Sequence, residues 1–242
     1  MKSKSTKGVP VQVFVTGTDT DVGKTVFTTC FLGWLRAQGV PSIGFKPLAS
    51  GPRTDAESLF DVQAGEVPMD VINPWHFAEP LAPLLAARME GRRVAMTAVV
   101  DHVKAASRGM RAAVTEGAGG LLSPLLEGAD APELIEGLEA VPVVVAVDRL
   151  GVVGQVRLVW SALSERARQR AQVVLMASQQ PDASVAGNRA LLGEYVGPER
   201  IHSFPRLGAR ELKAYGGVAI GPVCAAVAEG LGIGRTWTLP PR

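Results

Sequence analysis

Cysteine is scarce in this chain, with Cys30 and Cys224 the only two. Far apart and without metal-ligand spacing, they exclude a disulfide framework and a thiolate metal site, and they read as reduced, packed thiols of a cytoplasmic protein. Histidine is scarcer than its usual functional roles demand: His76, His102 and His202 have no metal spacing and no serine or cysteine nucleophile context, so structural or surface roles are expected. Aromatic residues are few, and the four tryptophans read as packing residues, not as a base-stacking platform. Charge of one sign is also missing. A net charge of +2 with scattered Lys and Arg argues against a nucleic-acid or membrane partner, because neutralising several phosphates needs cations clustered on one face. The longest apolar run, Val141 to Val147, is strand length and far too short to span a bilayer. The basic start, with Lys2, Lys4 and Lys7, precedes a strand-length run without a small-residue cleavage site, so residues 1–9 read as a frayed tail and not as a signal peptide.

What is present is the composition of a compact enzyme: 242 residues, 47% hydrophobic and 20% charged, suit one larger α/β domain spanning 1–242. No repeat, low-complexity tract or long linker divides it. Short β-branched runs alternate with longer helical patterns, which predicts βαβ units: a mostly parallel sheet with helices on both faces. Strands are expected at Val11–Thr16, Ser42–Lys46, Met110–Thr115, Val143–Val147 and Val173–Ala177. Helices are expected after Gly23, before Gly91, over about Met96–Ser107 and Val153–Arg170, and around Val218–Leu231.

The stretch from Val13 to Thr25 reads as a buried strand, a glycine-bounded loop and a helix start, the grammar of a phosphate-binding loop. Gly23 lets the backbone approach an anion, and the free N–H groups opening the next helix point at phosphate oxygens, so Asp21, Val22, Gly23, Lys24, Thr25 and Val26 are nucleotide-binding candidates. Lys24 supplies a point charge near the transferred phosphate, and the Thr25 hydroxyl a hard ligand for Mg²⁺. The five residues Thr18 to Val22 separate the two glycines, one more than the standard loop allows.

In an open parallel sheet, chemistry gathers beyond the carboxyl ends of the strands, where Thr16, Lys46, Glu116 and Asp148 are expected. Glu116 precedes the small-residue turn Gly117-Ala118-Gly119-Gly120, which leaves room for a ligand, and with Asp55 and Thr25 it supplies oxygens suited to Mg²⁺. Asp55 reads equally as a helix-start residue beside Glu57 and Ser58. Asp148, after an apolar strand, is the second choice for the metal-site acid, and Arg149 could pair with it in solvent.

The wording Gly17-Thr18-Asp19-Thr20-x-Val22-Gly23-Lys24-Thr25 resembles the dethiobiotin synthetases. Lys46-Pro47-Leu48-Ala49-Ser50-Gly51, Thr54-Asp55, the segment Asn73 to Pro80, and Glu116 to Gly120 match in the same order, over about the first half of the chain. The resemblance implies an ATP- and Mg²⁺-dependent cyclo-ligase that carboxylates 7,8-diaminononanoate with CO₂ and closes a ureido ring. It implies that Lys24 and Lys46 are catalytic, that Thr20, Lys46, Ser50, Gly151, Val152 and Val153 face the diamine, and that Glu116, Gly117, Ala118 and Gly119 flank the nucleotide. It also implies a homodimer whose interface completes the substrate pocket. Pro205, Arg206 and Leu207 keep the family's later base-proximal turn, but Ser178-Gln179-Gln180-Pro181 replaces the Asn-Asp pair that reads adenine, and the Asn-His pair usual after Gly151 is missing. A different class remains open: deviant switch ATPases of the partitioning and septum-positioning kind share such a fold. Those usually carry a lysine early in the loop, where this chain has none. The amidating relatives of cobalamin synthesis carry a glutaminase domain for which this chain is too short.

Overall fold

The computed structural model describes residues 9–215 and 217–233, so all of the expected tail but Val9 lies outside the described residues. Strand β1 (Val11–Gly17) feeds α1 (Lys24–Ala37); β2 (Ser42–Phe45), β3 (Leu48–Ser50), α2 (Thr54–Val62), α3 (Met69–Ile72), β4 (Trp75–Phe77), α4 (Pro83–Met89) and α5 (Met96–Ala106) follow. The chain continues through β5 (Ala112–Glu116), α6 (Ala131–Leu138), β6 (Val141–Asp148), α7 (Val152–Ala162), α8 (Glu165–Arg168) and β7 (Gln172–Ala177). It then forms α9 (Val185–Val196), β8 (Ile201–Phe204), α10 (Ala209–Lys213) and α11 (Gly221–Gly230).

Six strands form one sheet in the order β2-β5-β1-β6-β7-β8, and every pairing is parallel. Alternate residues feed two apolar layers, as the two-residue period of a strand requires. Phe14, Val144 and Leu175 face a layer covered by α4 to α9, while Val13, Val143 and Val174 face one covered by α1, α2 and α11. In the second layer Phe27 stacks on Phe31 at 5.5 Å and meets Phe204 edge-on at 5.9 Å, which joins α1 to the far edge of the sheet.

The order reverses around β1: the chain leaves it toward β2 and later returns to β6 on its other side, so the crevice for a ligand lies at the end of β1. Register sets the heights. Val15 stands opposite Glu116 and Gly17 opposite Val145, so the loop leaving β1 emerges level with the Glu116 side chain. The edge strand β2 is closed by buried Gln63, whose amide oxygen accepts from Gly44 N–H at 2.9 Å and whose amide nitrogen donates to the Gly44 carbonyl at 3.3 Å.

The helix expected over Val153–Arg170 is two helices. Leu163 and Ser164 are extended, and the Ser164 hydroxyl accepts from Ala167 N–H at 3.1 Å, which starts a new helix where periodicity alone showed one. The helix expected around Val218–Leu231 opens as a 3-10 turn at Gly217–Ile220 and becomes α-helical at Gly221, with Pro222 in the first turn. Strands β3, β4 and β8, of three or four residues, were not expected; they are too short for a periodic signal and form against neighbours already in place.

His202 on β8 is buried, with its Nε2 2.8 Å from Gln172 Oε1, and burial, aided by Arg189, lowers its pKa to about 4 from the usual 6.5. Between those values the unfolded chain binds the proton and the native one does not, so stability is lost as pH falls through the window. The full contribution is on the order of 3 kcal/mol. Denaturant titrations at pH 7 and pH 4.5 are expected to show a smaller acid-induced loss for His202→Gln than for the parent chain; equal losses count against neutral burial of His202.

Candidate active site

The loop between β1 and α1 is held by close packing. A Cβ on Gly17 would stand 2.7 Å from the Val22 side chain, and Val22 is itself buried in the core. Gly23 has φ of 94°, in the left-handed region, and a Cβ there would press on Met176 at 3.1 Å. No side chain caps α1, which leaves its opening N–H groups for an anion. Lys24 turns back over the loop, its Nζ donating to the Asp19 carbonyl at 2.7 Å. Burial, reinforced by the nearby Lys46 ammonium, lowers the Lys24 pKa.

Lys46 leaves the end of β2 and is only 4% exposed. Its Nζ donates to Glu116 Oε1 at 2.7 Å, to Asp55 Oδ2 at 2.8 Å and to the Gly117 carbonyl at 3.1 Å. Burial alone would drive Lys46 down; Glu116 and Asp55 outweigh it and hold its pKa above the ordinary value. Asp55 shows the converse: burial pushes it up, but Lys46 prevails and holds the carboxyl below the usual range. The Thr25 hydroxyl donates to Glu116 Oε1 at 2.8 Å, and Glu116 Oε2 is buried with no hydrogen-bond partner.

Lys46 is aimed by residues to which sequence reasoning gave no role. Buried Asn73 donates to the Lys46 carbonyl at 2.7 Å, and Ile72 accepts from Lys46 N–H. Arg53 in turn holds Asn73, through Nε to its Oδ1 and Nη2 to its carbonyl, each at 3.0 Å. The Asn73–Pro80 motif was the available signal. Its strand β4 pairs with β3, His76 bonds the Gly51 carbonyl, and the Ser50 hydroxyl donates to the Leu81 carbonyl.

Thr25, Glu116, Lys46, Asp55 and Lys24 thus form one cluster. Asp148 does not join it: Oδ1 accepts from Asn188 Nδ2 at 2.8 Å, and this bond, not a pairing with Arg149, satisfies it. Gly151, Val152 and Val153 open α7 on the β6 side of the loop. Pro205, Arg206 and Leu207 follow β8, and Arg206 Nη1 donates to the Gln179 carbonyl at 3.2 Å, which joins the two segments expected near the base. Thr20 lies exposed on the loop itself. His102 bonds the Val71 carbonyl, so each histidine has a structural partner. Both cysteines are buried, with their thiols pushed up by burial, Cys30 to about 12.

Among the described residues no group of three or more His, Cys, Asp and Glu is placed to hold a metal. Magnesium needs no such cage, since it binds through one or two carboxylates together with phosphate and water oxygens. Thr25, Glu116 with its unpartnered Oε2, and Asp55 fit that pattern, all being hard oxygen donors.

A family model described as an AAA domain matches residues 11–218. The ATP-dependent dethiobiotin synthetase BioD of Anaeromyxobacter sp. strain Fw109-5 is 40% identical over 194 residues, covering 78% of this chain and 87% of the relative. The protein of the same name from Ralstonia nicotianae is 32% identical over 206 residues, covering 80% and 88%. The chain belongs to the dethiobiotin synthetase family. Among solved structures, the ParA of pNOB8 bound to nonspecific DNA covers 93% of this chain and 99% of its own with a TM-score of 0.54, at 10% identity, a likeness of fold alone.

Removing Lys46 strands two carboxylates, one of them fully buried. Lys46→Met is expected to destabilise the fold by ~3 kcal/mol, and Glu116→Gln in the same chain to recover much of that loss. Urea denaturation of the two single variants and the double variant measures the coupling; additive effects would mean that the pair is energetically idle.

Proposed function

We propose that the Lys46 cluster and the phosphate loop together form the phosphoryl-transfer centre of a dethiobiotin synthetase. As a member of that family, the chain is an ATP-dependent ligase of biotin biosynthesis. The observation that carries the site assignment is the Lys46 ammonium held between Glu116 and Asp55 beside Thr25 and Lys24. Two cations close enough to influence each other, together with hard oxygens, support that reading.

One amine of the 7,8-diaminononanoate attacks CO₂ and loses a proton to give a carbamate. A carbamate oxygen attacks the γ-phosphorus, the bond to the bridging oxygen breaks, and ADP leaves. The neighbouring amine then attacks the carbonyl of the mixed carbamic-phosphoric anhydride, expels phosphate and closes the ring. The protein contributes position and charge. Loop amides and Lys24 hold the triphosphate, while Lys46 opposes charge growing on the transferred group and its oxygens. Thr25, Glu116 and Asp55 would hold Mg²⁺, which when bound neutralises phosphate charge. Ring closure gains from holding the second amine beside the activated carbonyl.

Around Val152, whose own N–H donates to the Arg149 carbonyl at 3.1 Å, Gly151 and Val153 offer uncapped N–H groups to the substrate carboxylate, and Ser50 and Thr20 border the diamine. The setting is cytoplasmic and no nucleic acid takes part. A homodimer completes the pocket: Leu150 is 78% and Leu158 73% exposed, and Leu191 and Tyr195 add apolar surface on neighbouring α9. The switch-ATPase reading has only the shared fold behind it.

ATP hydrolysis is expected to require both diamine and bicarbonate, and Lys24→Ala to lower turnover by about 10²-fold. Phosphate release that ignores the diamine would sink the reading. Glu116→Gln is expected to raise the Mg²⁺ concentration needed for half-maximal rate, and an unchanged Mg²⁺ titration would remove Glu116 from the metal site.

Base selection is expected to be weak. The Ser178 hydroxyl is occupied within its own turn, accepting from Gln180 N–H at 3.1 Å and donating to the Gln180 carbonyl at 3.0 Å, while Arg206 occupies the Gln179 carbonyl. Strong discrimination needs site groups that a wrong base leaves unpaired. GTP or CTP should therefore support kcat/KM within roughly tenfold of ATP, about 1.4 kcal/mol. A thousandfold preference for ATP contradicts this.

A further inference from the structure

The turn that leads into α7 has one local backbone bond, from Val152 N–H to the Arg149 carbonyl at 3.1 Å, and no local side chain fixes it. Leu150 is exposed, Gly151 sits at φ of 92°, and no side chain caps the helix. A Cβ at Gly151 or Gly154 would meet nothing within 4 Å, so the first turn of α7 faces open space. The side chains that hold the turn come from the β7–α9 connection and from α9, thirty or more residues later. Asp182 Oδ2 accepts from Leu150 N–H at 2.9 Å, while its Oδ1 accepts from the backbone N–H and the hydroxyl of Ser184. Asn188, 6% exposed, extends the brace inward: its Nδ2, with two hydrogens shared among three acceptors, lies 2.8 Å from Asp148 Oδ1, 3.0 Å from the Ser184 hydroxyl and 3.2 Å from the Arg149 carbonyl.

We propose that Asp182 and Asn188 are positioning residues for the diamine, a brace that fixes residues 148–151 and so aims the N–H groups of Gly151 and Val153 at the substrate carboxylate. This rests on the reading that Gly151–Val153 face that carboxylate. The brace acts through Leu150 N–H, Arg149 and Asp148, not by touching substrate. It explains why a chain lacking the family's Asn-His pair after Gly151 can still present a defined anion site. A backbone site binds only as well as its backbone is held, because ordering a loose turn at the moment of binding costs affinity. It also makes Asp148 a structural member of the brace instead of a metal ligand.

The test is steady-state kinetics of the full chain with two diamines, 7,8-diaminononanoate and 2,3-diaminooctane, which is the same diamine without the carboxylate. Asp182 is exposed, so Asp182→Ala folds without a buried gap. It is expected to raise KM for the diaminononanoate roughly tenfold, the loss of one charge-assisted hydrogen bond, with kcat, KM for ATP and KM for 2,3-diaminooctane unchanged. Asp182→Asn keeps an acceptor for Leu150 N–H and should restore most of the affinity, and Asn188→Ala should repeat the KM effect. If the parent enzyme handles both diamines with equal KM, the carboxylate reading fails and the proposal falls with it. If the parent enzyme discriminates and Asp182→Ala keeps the full discrimination, or loses kcat equally for both diamines, the brace alone is overturned.

Discussion

A buried ammonium cannot stand alone, and the arrangement of this site follows from where Lys46 finds its counter-charges. Desolvation of a lysine costs several kcal/mol unless carboxylates and hydrogen bonds compensate it. Glu116 from β5, Asp55 from α2 and the Gly117 carbonyl supply all three bonds that an ammonium can donate. Strand β2, helix α2 and the loop after β5 are therefore tied together at one nitrogen. Glu116 then accepts from Thr25 and brings in the phosphate loop. The electrostatics are close to balanced within the cluster, with Lys24 and Lys46 set against Asp55 and Glu116. Under the proposed assignment a phosphate arriving there meets cations that are already oriented, and preorganised charge of this kind stabilises a transition state without reorganisation during the reaction.

The sheet makes this affordable in geometry. Parallel strands all end on one side, and the register of β1 against β5 sets Val15 opposite Glu116, so a one-residue slip would turn the carboxylate to the other layer. The remaining degree of freedom is the chain beyond β2, which the Asn73 amide removes by holding the Lys46 carbonyl, with Arg53 behind it. Positioning is thus layered: strand register places the carboxylate, and side-chain bonds from Asp55 of α2 and from Asn73 at the end of α3 place the lysine.

Much of this was legible in the sequence because it is local. A strand, two glycines and Lys24-Thr25 occupy thirteen consecutive residues from Val13 to Thr25, and each element of the loop depends on its immediate neighbours. Lys46 and Glu116 were visible as polar residues closing apolar runs. What escaped depends on distance along the chain. Gln63 closing the edge of β2, Asn73 under Lys46 and Asn188 under Asp148 are polar residues whose partners lie 19 to 40 positions away. No periodicity marks such pairs, because an isolated Asn or Gln satisfies surface and interior alike. The break at Leu163-Ser164 escaped for a different reason: its apolar spacing continues across the interruption, and only the cap at Ser164 reveals it.

The likeness of fold to a ParA at 10% identity shows how little of the function resides in the frame. A phosphate loop at the switch point of a parallel sheet does not by its layout choose a reaction. Here Thr18 to Val22 contain no lysine, and the second ammonium of the cluster comes from the end of β2 on a carboxylate already fixed in the sheet. A cation bound to an internal carboxylate is available whenever the nucleotide is, without a conformational change to deliver it. That suits continuous turnover of a small substrate, and under the proposed assignment it leaves the far side of the loop, where α7 opens, for the substrate carboxylate.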